Sequence, residues 1–461
     1  MALRLPPGPE GAPLVGAFPE FRRDQLAFLL RMAREYGDIT YTRLAHLRIY
    51  QLNHPDYIQE VLVTQAANFP KSKLDSSIFN RLFGQGLIGI NGEFHREQRK
   101  LMQPAFHSKR IEAYAQIMAH YSQQVLDSWA DGQTLNIHEA MNTLTLLIVS
   151  RALYDVDLSA STNGLGDTVH DLNEMGNGFF RQGFLTPPWL PIPFNARLNR
   201  TIRAIDDVLL PIIEERRRTS EDRGDLLSML LLAQDEETGG AMTDQQVRDE
   251  VITLFVAGHE TTSNALTWTW YLLAQHPEVE AKLHDEVDRV LGGRMPTLDD
   301  MPNLPYTDYV LKEAMRLYPP AWILNGRQAS ADAEIGGYTI PKGATVWVSP
   351  YVMHRDPRYF DAPEAFRPER WADGLEKRLP RYAYFPFGGG PRICIGNSFA
   401  LMEARLILAG LAGHYRLSLV PGQSVAVEPL ITLRPRDALM MRLARRSPAR
   451  VTAGQPSQVQ T

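Results

Sequence analysis

Residues Phe387-Gly388-Gly389-Gly390-Pro391-Arg392-Ile393-Cys394-Ile395-Gly396 hold the single cysteine of a 461-residue chain. Three glycines precede it, and an arginine stands two residues before it. An apolar segment free of proline, Phe399 to Leu411, follows at helical spacing. The pattern predicts a tight loop that turns into a helix just after Cys394. Glycine allows backbone conformations and close approaches that a side chain blocks. Loop amides and the positive end of the helix then favour a thiolate over a thiol. A lone cysteine has three readings: an inert packed side chain, a nucleophile served by a distant histidine, or a ligand for a large, soft metal centre.

The spacing Phe387-x-x-Gly390-x-Arg392-x-Cys394-x-Gly396 resembles the haem-binding loop of the cytochrome P450 family, with every fixed position matched. The resemblance implies haem b, with Cys394 as the axial ligand of iron and Phe387, Gly388 and Gly396 beside the cofactor. It runs from the proline-rich entry Leu5-Pro6-Pro7-Gly8-Pro9 to Pro435. It implies that family's prism-like fold, mainly α with a minor β region, as a single domain over residues 1–446. Residues 447–461 read as a polar, disordered tail.

A second signal lies in the longest predicted helix, Thr243 to about Gln275, which opens on a capping box of Thr243 and Gln246. Within it stands Ala257-Gly258-His259-Glu260-Thr261-Thr262. Glycine and threonine are mediocre helix formers, and a threonine hydroxyl can bond back one turn, so a kinked but merely structural helix is the plain reading. The stretch resembles the family's oxygen-binding groove. That resemblance implies Ala257 against the cofactor, Thr261 as the hydroxyl beside the dioxygen site and Glu260 as the source of protons. Cleavage of the O–O bond inside an apolar pocket needs such a relay. His259 is expected to point elsewhere.

Glu313 and Arg316, three apart on a predicted helix, form by themselves only a weak pair, worth about 0.2–0.5 kcal/mol if exposed. With Pro368-Glu369-Arg370-Trp371 they resemble the family's structural Glu-Arg-Arg network, which would fix the segment leading to the cysteine loop. Haem propionates need donors when buried. The resemblance assigns His95, Arg99, Arg327 and Arg392 to them, with His95 standing where many members carry tryptophan. The same mapping lines a substrate pocket with Leu87, Ile88, Phe255, Ala257, Ala321, Ile323 and Thr432. These are mostly apolar, so a hydrophobic substrate is expected, such as a terpenoid, carotenoid or fatty acid.

Composition agrees with such a protein. Apolar content of 44% and charged content of 22% are ordinary for a globular chain. A net charge of −5, with no basic tract interleaved with aromatics, argues against nucleic acid as a partner. One cysteine excludes an internal disulfide and fits a reducing compartment. No run reaches the roughly 18 apolar residues of a membrane span, so a cytoplasmic protein without a membrane anchor is expected.

Along the chain, helical periodicity at Gln25–Tyr36 precedes a hairpin over 39–44 and 47–52. Glycines at 84, 86, 89 and 92 predict one long irregular loop from Phe69 to Gly92. Helices follow over 93–151 (interrupted near Pro104 and Gly132), 196–218, 225–234 and 277–291. The last third alternates short helices with extended runs such as Ala344 to Ser349.

The reading is a monooxygenase that spends dioxygen and the electrons of a separate ferredoxin or flavodoxin. Arg96, Arg99, Lys100, Lys109 and Arg110 offer a basic face for docking. The alternatives are a peroxide-driven peroxygenase, a haem-binding sensor without turnover and, last, a cysteine hydrolase. The acid–alcohol pair Glu260 and Thr261 argues for turnover with dioxygen.

Overall fold

The longest helix forms where the sequence places its strongest start signal. The Gln246 amide donates to the Thr243 hydroxyl at 3.2 Å, and the Thr243 amide donates to the Gln246 side chain at 2.7 Å. The helix then runs Asp244–Gln275, and Pro277–Leu291 follows directly. Val251, Leu266, Trp268, Trp270 and Leu273 are all buried along it. A helix buried on nearly every side lies in the middle of a core, and the others gather around this one. The computed structural model describes residues 4–106, 108–155, 165–182, 187, 189–219, 221–234 and 239–447.

Ile137–Tyr154 lies along the central helix, with Gly258 turned onto Val149. A Cβ at Gly258 would stand 3.0 Å from the Val149 side chain, so glycine sets the approach of the two helices. Pro193–Thr219, Pro305–Leu317 and Asn397–His414 pack on other sides. The largest apolar cluster draws on residues from Ile78 to Leu443.

Two smaller clusters belong to the β region. Strands Ile39–Leu44 and Leu47–Leu52 form the expected hairpin, with Ile39 opposite Leu52. Leu47–Leu52 runs parallel to Thr345–Val348, which pairs antiparallel with Arg327–Gln328. A second sheet joins Thr134–Asn136, Met440–Arg445 and Tyr415–Leu419 in that order. The architecture is mainly α with a minor β region, as the sequence predicts.

One expectation needs correction. The stretch Phe69 to Gly92 is not one irregular loop, for a helix, Lys73–Phe83, occupies its middle. Ser72 caps it by accepting from the Asp75 amide at 3.1 Å, and Ile78, Phe79, Leu82 and Phe83 bury one face. The glycines all fall after its end. The strand Thr134–Asn136 is too short to carry alternation. Most of the polar tail, Pro448 to Thr461, lies outside the described residues.

Candidate active site

The cysteine loop is built from close contacts. The Cys394 amide donates to the Phe387 carbonyl at 3.0 Å, and the helix Asn397–His414 begins just beyond. Gly388 and Gly390 have φ of 72° and 65°, the left-handed region that favours glycine. Gly389 is extended but hemmed in: a Cβ there would stand 2.2 Å from the Tyr382 ring. At Gly390 a Cβ would meet the Leu62 carbonyl oxygen at 1.9 Å. Phe387, Gly388 and Gly396 are half-buried around this turn.

The approach to the loop is braced by a buried charge network. Glu313 and Arg316 are fully buried, joined by two bonds of 2.9 Å, and Arg370 donates to Glu313 at 2.9 Å. Trp371 Nε1 and the Arg367 amide complete the carboxylate's partners at 3.0 Å each. Arg316 also donates to the carbonyls of His354, Pro363 and Ala365. Burial and the Arg316 charge hold His354 well below its ordinary pKa, so its neutral Nε2 accepts from the Phe385 amide at 2.9 Å. The network thus reaches the strand of chain that enters the cysteine loop.

Cys394 is exposed, yet protein surrounds the loop closely enough that burial pushes its thiol up. The Gly396 amide and the Arg99 charge pull the other way and are outweighed. The loop amide acts in the direction expected, favouring the thiolate, against the larger effect of burial. A coordinated metal would deprotonate the thiol outright and so offset the effect of burial.

Around the loop gathers an unusual concentration of positive charge. Arg99 Nη1 donates to the Ile393 carbonyl at 2.8 Å, and Arg392 donates to the Ile90 carbonyl at 2.7 Å and to Asn91 Oδ1 at 2.8 Å. Asn91 Oδ1 also accepts from the Lys71 amide at 3.0 Å. Lys71 is buried, and its ammonium donates to the Ile88 carbonyl. Arg327 is buried, with no hydrogen bond from its guanidinium among the described residues. Burial, then repulsion from Arg327 and Arg99, lowers Arg392 to about 9. Burial lowers Arg327 to about 10. Burial and the charges of Arg392, Lys71, Arg99 and Arg327 lower His95 to about 3, leaving a neutral N–H donor. Lys71 is lowered well below its ordinary value by burial, Arg392 and Arg327.

Asp75 and Glu250 are the carboxyl groups that attract Lys71, and burial raises both their pKa values, Glu250 to about 8. Buried cations repelling one another in this way call for an anionic partner. Two carboxylates of a haem beside the Cys394 sulfur satisfy that demand, so the residues present fit the group. His95, Arg99, Arg327 and Arg392 come together as the sequence predicts. Lys71 was missed, because Pro70-Lys71-Ser72 carries no local pattern.

On the central helix, Ala257 is exposed and Gly258 and Thr261 half-buried, between turns that are otherwise closed. The helix is unbroken there, so small side chains rather than a kink open that face. The Thr261 hydroxyl donates to the Ala257 carbonyl at 2.8 Å. Glu260 lies on another face, buried, and accepts from the Thr432 hydroxyl at 2.7 Å. His259 is turned away, its Nδ1 2.8 Å from the Phe255 carbonyl.

The pocket residues divide. Leu87 sits beside the central helix, its amide donating to Glu250 at 3.0 Å, with Ile88 half-buried next to it. Ala321 and Ile323 are half-buried in a segment tied to Thr432's neighbour, the Leu433 amide donating to the Pro320 carbonyl at 2.9 Å. Phe255 does not join Ala257. Two residues apart on a helix is about 200° of rotation, and Phe255 stacks on Tyr154 at 5.8 Å. Sequence reasoning also missed Asn264, which donates to the Thr432 hydroxyl at 3.0 Å. Its place one turn beyond Glu260, on the same face, was the available signal.

Comparison with known proteins agrees with this geometry. The family model described as Cytochrome P450 matches residues 6–439. Cyclooctatin synthase of Streptomyces melanosporofaciens is 38% identical over 431 residues, covering 92% of each chain. Pentalenene oxygenase of Streptomyces avermitilis is 34% identical, covering 95% of this chain and 97% of the relative. The crystal structure of the cytochrome P450DA heme domain superposes with a TM-score of 0.87 at 27% identity, over 97% of this chain and 99% of that one. A cysteine loop ringed by buried cations, beneath a fold shared from end to end with these proteins, places the chain in the cytochrome P450 family of haem-thiolate monooxygenases.

Proposed function

We propose that the enzyme hydroxylates or epoxidises a terpenoid, with Thr261 and Glu260 managing protons and a cytoplasmic ferredoxin or flavodoxin supplying electrons. The observation that carries the reading is the opened Ala257–Thr261 face on an otherwise buried helix, in a molecule where four further pocket candidates, Leu87, Ile88, Ala321 and Ile323, are apolar. None of these four offers a charge to anchor a carboxylate. Two relatives are named for cyclooctatin and pentalenene, which favours terpenoids over fatty acids and carotenoids.

Haem bound at Cys394 supplies the activation of dioxygen. The chain supplies position and protons. Lys71, His95, Arg99, Arg327 and Arg392 would hold the cofactor's carboxylates. Ala257 keeps the helix face low enough for a substrate to approach. The Thr261 hydrogen is committed to the Ala257 carbonyl, so its oxygen is free to accept, and a turn of one torsion lets it donate. Glu260, one residue away and out of bulk water, is the next group along the relay. The apolar wall excludes water that would otherwise compete.

A screen of spin-state shifts with terpenes, carotenoids and fatty acids tests the substrate class. Terpenes should give the largest shift, and a response confined to fatty acids would refute the reading. Cys394→Ser should abolish the thiolate-type spectrum of the ferrous–carbon monoxide form. Thr261→Ala should divert electrons from product to peroxide; unchanged coupling would remove Thr261 from the relay.

A further inference from the structure

Three consecutive side-chain hydrogen bonds lead away from Glu260. Thr432 Oγ1 donates to Glu260 Oε1 at 2.7 Å, and Asn264 Nδ2 donates to Thr432 Oγ1 at 3.0 Å. His138 Nε2 meets Asn264 Oδ1 at 3.1 Å. Glu260, Asn264 and Thr432 are buried; His138, half-buried on the helix Ile137–Tyr154, is the outer end.

The direction of this chain follows from counting hydrogens. The Thr432 hydroxyl has one, and it goes to the carboxylate. Its oxygen can then only accept, so Asn264 must turn its NH₂ toward Thr432 and its carbonyl toward His138. A carbonyl cannot donate, so His138 Nε2 carries the hydrogen. All three donors therefore point at Glu260, and the Arg434 charge acts on it as well. An amide does not relay protons as water does, so the chain is a brace and not a wire. If Glu260 takes up a proton and donates it to Thr432, the hydroxyl must donate to Asn264. The amide must then flip, and its NH₂ must face a bare Nε2.

We propose that His138 is a positioning residue for Glu260: through Asn264 and Thr432 it holds the side chain in one orientation, and so sets how readily protons pass from it toward Thr261. This rests on the reading of Glu260 as proton source.

The first test is the tautomer of His138, read by ¹⁵N chemical shifts of histidine in the diamagnetic ferrous–carbon monoxide holoenzyme, on the alkaline side of its titration. The signal is assigned by its loss in His138→Gln. Wild type should show hydrogen on Nε2. Thr432→Val keeps the shape and removes the hydroxyl, so Asn264 is free to flip and the His138 shifts should move toward a mixed tautomer. A bare Nε2 in the wild type, or shifts unmoved by Thr432→Val, overturns the proposal. In turnover, His138→Leu should raise the share of electrons lost as peroxide, and His138→Gln, which keeps an N–H donor, should restore coupling. If Glu260→Gln uncouples the enzyme and His138→Leu does not, the role of His138 falls alone. If Glu260→Gln leaves coupling intact, the proton-source reading falls, and the tautomer result still judges the brace.

Discussion

Glu403 sits fully buried on the helix Asn397–His414 that follows the cysteine loop, beside Thr262. Burial pushes its carboxyl up from 4.5 to about 8, with the Thr262 hydroxyl opposing weakly. The folded form therefore binds a proton that the unfolded chain has released. Its contribution to stability is complete below pH 4.5 and is lost as pH rises through about 8. Each pKa unit is worth about 1.4 kcal/mol, so the loss is a few kcal/mol. Glu403→Gln should raise the thermal midpoint above pH 8 and flatten its decline with pH. Part of the decline should persist through Glu250, which is also raised to about 8. Identical pH profiles for variant and wild type would refute the assignment. At this scale the sequence was most legible where residues sit in fixed spacing, as Cys394, Arg392, Glu260 and Thr261 do. Lys71 and His138 reach their partners only through tertiary folding, and nothing beside them in the chain announces it.

Between elements, the Glu313 network decides whether the cysteine loop has a fixed foundation. Its three charged members were readable from the sequence, but their burial was not, because an i,i+3 pair looks the same on a wet face as on a dry one. Removing one partner of a buried ion pair costs about 3–5 kcal/mol. Glu313→Gln should lower stability to denaturant by that order and speed loss of haem, since Arg316 also anchors the His354 and Phe385 segment. Arg316→Lys should not rescue it, because an ammonium cannot reach three carbonyls and a carboxylate at once. A lysine variant as stable as wild type would show that charge alone suffices. The central helix was legible from its capping box and length. Lys73–Phe83 was not, because four glycines just beyond it dominated the local pattern.

Over the whole molecule, none of the helices among the described residues is long and apolar enough to cross a membrane. The basic face expected to dock a redox partner is represented by Arg96 and Lys100, both exposed, with Arg99 half-buried behind them; Lys109 and Arg110 have side chains outside the described set. Steering by exposed charge fades as salt shortens the Debye length to about 8 Å near physiological strength. Reduction by an acidic ferredoxin should therefore slow as ionic strength rises, and a flat stopped-flow response would remove this face from docking. The helical class was readable from periodicity. The parallel pairing of Leu47–Leu52 with Thr345–Val348 was not, since strands from opposite ends of a chain carry no mark of their partner.

The crowding at Gly389 and Gly390 also has a practical side for anyone wishing to redesign this catalyst. Those positions tolerate no library: any side chain there collides with Tyr382 or with the Leu62 backbone before chemistry is reached. Diversity belongs instead at Ile88, Ala321 and Ile323, the half-buried apolar side chains proposed to line the substrate pocket.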